Sequence, residues 1–204
     1  NAIVIGGYQV FHPSNSMVSQ IKDFVLNKGG GYVGIGWAVT YGLGFELDTQ
    51  GYEDLRSFQP TTQSNSSYQN QNGDVDFTSA GISHAISAGL PSSFRPYQES
   101  SCATITGWYT GGNWNPRSGS TVIAENGGAP LIIADDSGNG RGVYFGVNIG
   151  SYNIYSDLVD DNTERLLENT INWAASNSST IPEPSTLTFF LLLAGCLFFQ
   201  KKSK

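Results

Sequence analysis

Short apolar runs and glycine-rich punctuation alternate from the first residues of this chain. Ala2 to Ile5 is apolar and closes on Gly6-Gly7, which predicts a strand running into a turn. Met17, Val18, Ile21, Phe24 and Val25 recur at i, i+1, i+4, i+7 and i+8, one face of a helix. Asn15 or Ser16 supplies the N-cap of that helix and Gly29 its stop. Tyr32 to Ile35, flanked by glycines, predicts a second strand. Strand, helix and strand in so short a span form a βαβ unit, which calls for a parallel sheet. Further on, Leu131–Ala134 and Gly142–Val147 are strands joined by Asp135-Asp136-Ser137-Gly138-Asn139-Gly140, a turn by composition. An amphipathic helix from Thr163 to Ala175 follows, capped by Asp161 or Asn162, with Leu167, Ile171 and Ala174 on one face. Between these regions, Gln59 to Asn72 is polar and aperiodic, and reads as an exposed loop. The class is α/β.

The last apolar run differs from all the others. Leu187 to Phe199 (Leu187, Phe189, Phe190, Leu191, Leu192, Leu193, Leu197, Phe198 and Phe199 among them) holds no charge and no polar alternation, and Lys201, Lys202 and Lys204 follow it. Thirteen residues make about 20 Å of helix, short of the ~20 residues of a comfortable span. Such a segment crosses by thinning the bilayer or by letting its terminal lysines snorkel. Lysines beyond the run hold that end in the cytoplasm and the body on the far side. Before it stand a polar linker, 177–180, and Ile181-Pro182-Glu183-Pro184-Ser185-Thr186, which neither helix nor central strand can accommodate.

Composition changes the picture in three respects. With 204 residues there is room for one self-sufficient core and a tail. Setting the three tail lysines apart from the ten basic residues leaves seven against seventeen acids, a body charge of −10. A body of that sign repels a phosphate backbone, and nucleic-acid binding is excluded as a leading class. Cys102 and Cys196 lie in different regions, which disfavours an internal disulfide. The chain opens on Asn1 with no basic and apolar leader, as expected either of a processed signal peptide or of an N-terminal truncation.

Pro182-Glu183-Pro184-Ser185, a short hydrophobic helix over 186–199 and a basic end resemble the PEP-CTERM sorting signal recognised by exosortases. The resemblance covers 181–204. It implies an exosortase-type membrane processing enzyme as partner, export, transient anchoring in the inner membrane, and cleavage with release or attachment at the cell surface. Association with exopolysaccharide is implied as well. In the body, Lys28-Gly-Gly-Gly-Tyr-Val-Gly-Ile-Gly-Trp-Ala resembles the turn after the central strand of class I glutamine amidotransferase-like folds, including the ThuA-like branch. Ser83-His84-Ala85-Ile86 with Gly89-Leu90-Pro91, Pro130-Leu131-Ile132, Gly140-Arg141-Gly142 and Leu166–Trp173 are similar to later segments of that branch. This second resemblance implies a parallel-sheet, flavodoxin-like (glutamine amidotransferase-like) domain over 1–176, N-terminally truncated by a strand and a helix.

The chemistry of that family needs a cysteine at the strand-to-helix elbow, where backbone N–H groups lower its pKa and hold an oxyanion. Gly36 occupies the matching position, and Gly146-Val147-Asn148-Ile149 contains neither the partner histidine nor the glutamate. The standard triad is therefore absent, and no catalytic residue, cofactor or metal is assigned. Cys102 reads as a small buried residue, and His12 and His84 have no ligand-like spacing. His84 is expected to satisfy a local turn. The pairs Asp74/Asp76 and Asp135/Asp136 read as surface turns, lacking the ligand set of a calcium loop. Trp108-Tyr109-Thr110-Gly111-Gly112-Asn113-Trp114 sets aromatic rings beside amides and hydroxyls, a composition suited to stacking on sugars or, equally, to covering a core edge. Three functions stay open: a sorted surface protein with a non-catalytic body; a carbohydrate-binding module using Trp108, Tyr109 and Trp114; and a hydrolase of glycans or amides working through His84 and carboxylates.

Overall fold

The computed structural model describes residues 1–5, 15–35, 59–63, 74–96, 114–147 and 160–176. Seven strands form one sheet in the order β1-β2-β9-β8-β7-β4-β5. They are β1 (Ala2–Ile5), β2 (Gly31–Ile35), β4 (Val75–Phe77), β5 (Ser93–Phe94), β7 (Thr121–Asn126), β8 (Ala129–Asp135) and β9 (Arg141–Phe145). A separate antiparallel ribbon joins β3 (Thr61–Gln63) to β6 (Trp114–Pro116). The helices are α1 (Asn15–Lys22), α2 (Ser79–Ile82) and α3 (Asp161–Ala175).

Alternation along β2 distributes the layers. Tyr32 points to α1 and packs with Val18, Ile21 and Val25. Val33 and Ile35 point to the opposite face and share a core with Leu166, Trp173 and Ala174 of α3. Helices therefore cover both faces, and Leu131 to Ala134 at the middle of the sheet are buried without a break, as a strand covered on two sides must be. α1 runs as the apolar spacing requires. It continues through a π turn, Asp23–Asn27, and stops where Gly29 takes φ +70°.

The parallel-sheet expectation holds for part of the sheet only. β1, β2 and β9 are parallel; β8, β7, β4 and β5 are antiparallel to their neighbours. Connection length is the reason. Gly127 and Gly128, at φ +55° and +86°, join β7 to β8 in a two-residue turn of the primed kind, and five residues join β8 to β9. Neither link is long enough for a crossover, so these strands must reverse. The sheet is mixed α/β.

Two local expectations are also corrected. Gln59, Pro60 and Thr61 are buried rather than exposed, because the β3–β6 ribbon packs inward, with Gln59 Nε2 donating to the Tyr32 hydroxyl. The cap of α3 is Asp160, whose Oδ1 accepts from Asn162 N at 2.7 Å. The buried face of α3 is accordingly Thr163, Leu166, Thr170, Trp173 and Ala174, with Leu167 and Ile171 flanking it.

Candidate functional site

In open α/β sheets ligands bind beyond the carboxyl ends of the parallel strands. Here the register sets Ile5 opposite Gly34 and Ile35 opposite Phe145, so β1, β2 and β9 end at one level. Gly36, which the amidotransferase-like resemblance matches to a nucleophile, is next in sequence after β2 and lies outside the described residues. On the neighbouring strand the backbone is closed tightly. Gly146 N donates to Leu131 O at 2.7 Å, and a Cβ on Gly146 would stand 2.6 Å from that same oxygen. Val147 is fully buried. The stretch in which the resemblance would place an imidazole thus holds a glycine fixed by close approach and a buried valine.

His84 is built from the opposite side. Thr78 caps α2, its hydroxyl accepting from Gly81 N at 2.9 Å and donating to Val122 O at 2.7 Å, which ties α2 to β7. A Cβ on Gly81 would meet Ile123 O at 1.9 Å, so only glycine lets α2 lie this close to the strand. The chain then turns at His84, whose Nδ1 accepts from Ile86 N at 3.2 Å and so caps a 3₁₀ turn, Ala85–Ser87. Accepting at Nδ1 fixes the neutral ring as the Nε2–H tautomer. Asn169 of α3 clasps the turn by donating to Ile86 O and Ala88 O.

The His84 ring lies 5.0 Å from that of Trp173, and the Arg141 guanidinium sits 4.7 Å from the centre of the same indole. Arg141 Nη1 donates to Trp173 O at 2.8 Å and to the Ser176 hydroxyl, capping the last turn of α3 with a cation. Burial is the main cause that holds the His84 pKa below its ordinary 6.5; the Asp136 charge opposes this and Arg141 adds to it. Arg141 opens β9 and Trp173 is near the end of α3, so the cluster stands at the amino ends of the parallel strands. Four strand residues, about 13 Å, separate that level from Ile35 and Phe145. His84 and the elbow position therefore belong to opposite ends of the sheet.

Three carboxylates of the two pairs are engaged locally. Asp74 pairs with Arg95 at 3.2 Å, Asp76 Oδ1 accepts from the Ser93 hydroxyl at 2.6 Å, and Asp135 Oδ1 accepts from Ser137 N at 2.8 Å. Among the described residues no three His, Cys, Asp or Glu side chains cluster as metal ligands, and no helix is long and apolar enough to cross a membrane. Of the aromatic trio, Trp114 opens β6 opposite Gln63, while Trp108 and Tyr109 lie outside the described residues. His12, Cys102, the motif Pro182–Ser185, the apolar run and the lysines fall outside them too. Sequence reasoning placed Arg141 and Trp173 in structural segments and missed their meeting with His84. No spacing pattern links three residues on three separate elements.

No family model matches the chain, and no curated protein matches it. Solved structures do. A cytoplasmic protein of Salmonella typhimurium LT2 is similar at 16% identity and TM-score 0.57, over 85% of this chain and 71% of that one. A second cytoplasmic protein of Salmonella typhimurium matches at 16% and 0.54, over 81% of this chain and 63% of its own length. A ThuA-like protein from Parabacteroides merdae matches at 15% and 0.50, over 90% and 73%. At these identities the likeness is one of fold, and the mixed sheet described above is the fold this chain has in common with them.

Proposed function

We propose that this chain is an exported bacterial surface protein. Its body is a flavodoxin-like domain of the ThuA-like, amidotransferase-like kind that works without the amidotransferase triad, and a PEP-CTERM tail delivers it. The observation that carries the proposal is the order of the tail: Pro182-Glu183-Pro184-Ser185, then an uncharged run to Phe199, then three lysines. In support of a body without the triad, the chain has glycine at 36, and its one described imidazole lies at the other end of the sheet. On this reading the inner membrane holds the chain briefly, an exosortase-type enzyme cuts near the motif, and the body joins the exopolysaccharide-rich surface.

The test is fractionation of the full chain, expressed behind a secretory signal peptide, in an exosortase-bearing host and in a strain lacking that enzyme. Expected is a shortened, surface-released body in the first and a full-length membrane-held chain in the second, with Glu183→Ala behaving as the second in either strain. An uncut, soluble full-length chain in the exported fraction of both strains would refute the delivery reading. Release of ammonia from glutamine by the purified chain would refute the reading of the body.

A further inference from the structure

Among the described residues charge is sorted along the sheet axis, and the balances at its two ends count those residues alone. At the amino ends of the parallel strands stand Lys22, Lys28, Arg117 and Arg141 with Asp23, Asp135 and Asp136, a balance of +1. Asp23 pairs with Lys28 at 2.8 Å at the close of α1, and Arg141 pairs with Gly31 at the start of β9. Arg117 belongs there because the turn it opens reaches Ser120, just before Thr121, which is opposite Ala134; Gly119 abuts Ser137. At the carboxyl ends stand Asp74, Asp76, Glu125, Asp160, Asp161 and Glu164 with Arg95, a balance of −5. Asn126 donates to Asp74 O, Asp76 is opposite Glu125, and Asp160 N donates to Pro96 O, so these groups share that end. Arg165 and Glu168, between the two levels on α3, cancel.

The chain leaves the body at the first of these ends. α3 finishes at Ala175 and Ser176, held by Arg141 and by the Asn1 amino group, which donates to Ala175 O at 3.1 Å. Ten residues, 177–186, then lead to the apolar run. Fully extended they reach at most about 36 Å. To bring the carboxyl end onto the bilayer they would first have to run back along α3, about 22 Å long, using most of that reach. Tether and charge thus favour one orientation.

We propose that the amino end of the sheet, formed by the Asp135–Gly140 turn, the Arg117–Ser120 turn and the end of α1, is the face that rests against an anionic phospholipid surface while the tail is inserted. This rests on the reading of the tail as a membrane anchor. The acidic carboxyl end, where ligands of such folds bind, then points away from the membrane. An anionic bilayer repels the −5 end and tolerates the +1 end, over a range of about 10 Å at 0.1 M salt.

Full chain carrying Cys102→Ser and Cys196→Ser tests this with one added cysteine, Gly138→Cys at the amino end or Asp161→Cys at the carboxyl end. Gly138 has open space for the new side chain and Asp161 is exposed, so both variants should fold. Each is labelled with a fluorophore and mixed with phosphatidylglycerol vesicles bearing nitroxide headgroups. Expected is quenching at position 138 at least about twofold above that at 161, since about 20 Å of strand and helix separates the two levels. Equal or reversed quenching in chains that sediment with the vesicles overturns the orientation and leaves the anchor standing. Chains that fail to sediment with vesicles of any composition overturn the anchor, and this inference with it.

Discussion

Acidification should loosen the junction of α2, the 3₁₀ turn and α3 through one side chain, His84. Its Nδ1 is the acceptor that caps Ala85–Ser87, so a proton there removes the bond from Ile86 N. The loss of such a cap costs about 1 kcal/mol, and a charged ring beside Arg141 is disfavoured further, while Asp136 offsets part of this. Because the folded pKa lies below the unfolded 6.5, the unfolded chain takes up the proton first. The stability that His84 supplies is therefore complete above about pH 6.5 and declines as pH falls below it toward the folded pKa. Urea unfolding of wild type, His84→Asn and His84→Ala between about pH 7.5 and pH 5 separates the contributions. Asn can accept from Ile86 N but does not titrate, so His84→Asn should lose only the contact with Trp173, about 1 kcal/mol, and should lack the His84 part of the pH slope. His84→Ala should lose cap and ring contact together, about 2 kcal/mol at neutral pH. With only two histidines in the chain, the His84→Asn spectrum also assigns the imidazole resonances. The reasoning is refuted if wild type and His84→Asn show the same pH slope, or if the His84 resonance titrates at or above 6.5.

Three further outcomes follow from packing and burial. Gly81→Ala should destabilise by about 2–3 kcal/mol, since its methyl would fall 1.9 Å from the backbone oxygen of Ile123; an unchanged urea midpoint would mean that α2 yields freely. Arg141→Met should cost about 1–2 kcal/mol by removing the cation from the end of α3 and from the face of Trp173, with Arg141→Lys recovering only part in the same assay. The Tyr32 phenol, buried against Gln59, has its pKa raised by burial above the ordinary 10. Its contribution to stability is present below pH 10 and is lost as pH rises beyond it. An absorbance titration should therefore show a tyrosine component ionising together with unfolding, and that component should be smaller by one phenol in Tyr32→Phe.

The elements legible in the sequence were those whose own periodicity reports burial. Val18, Ile21 and Val25 face one way because 3.6 residues make a turn, and the helix they predict is α1, packed on Tyr32. β1, β2, β8, β9 and α3 were likewise readable within a residue or two, and the closing turn was named by its Asp, Ser, Asn and Gly. The expected turn role of His84 is the one it performs. Gln59 was misread because a polar residue is assigned to the surface unless a partner is known, and its partner, Tyr32, is 27 positions away. The parallel sheet was overextended for a related reason: one βαβ unit is a local pattern, whereas strand order is a property of all the connections together.

Residue order alone determined that an uncharged apolar run follows a proline-rich break, that position 36 is a glycine, and that the body is acidic. These are statements about identity and adjacency, which folding cannot alter. Tertiary structure decided where the remaining groups meet. It set Arg141 and His84 against the same Trp173 indole at the amino ends of the strands, and among the described residues it gathered the acids at the opposite end. Contacts between distant elements depend on register and layer packing, and neither is encoded by any short stretch of residues.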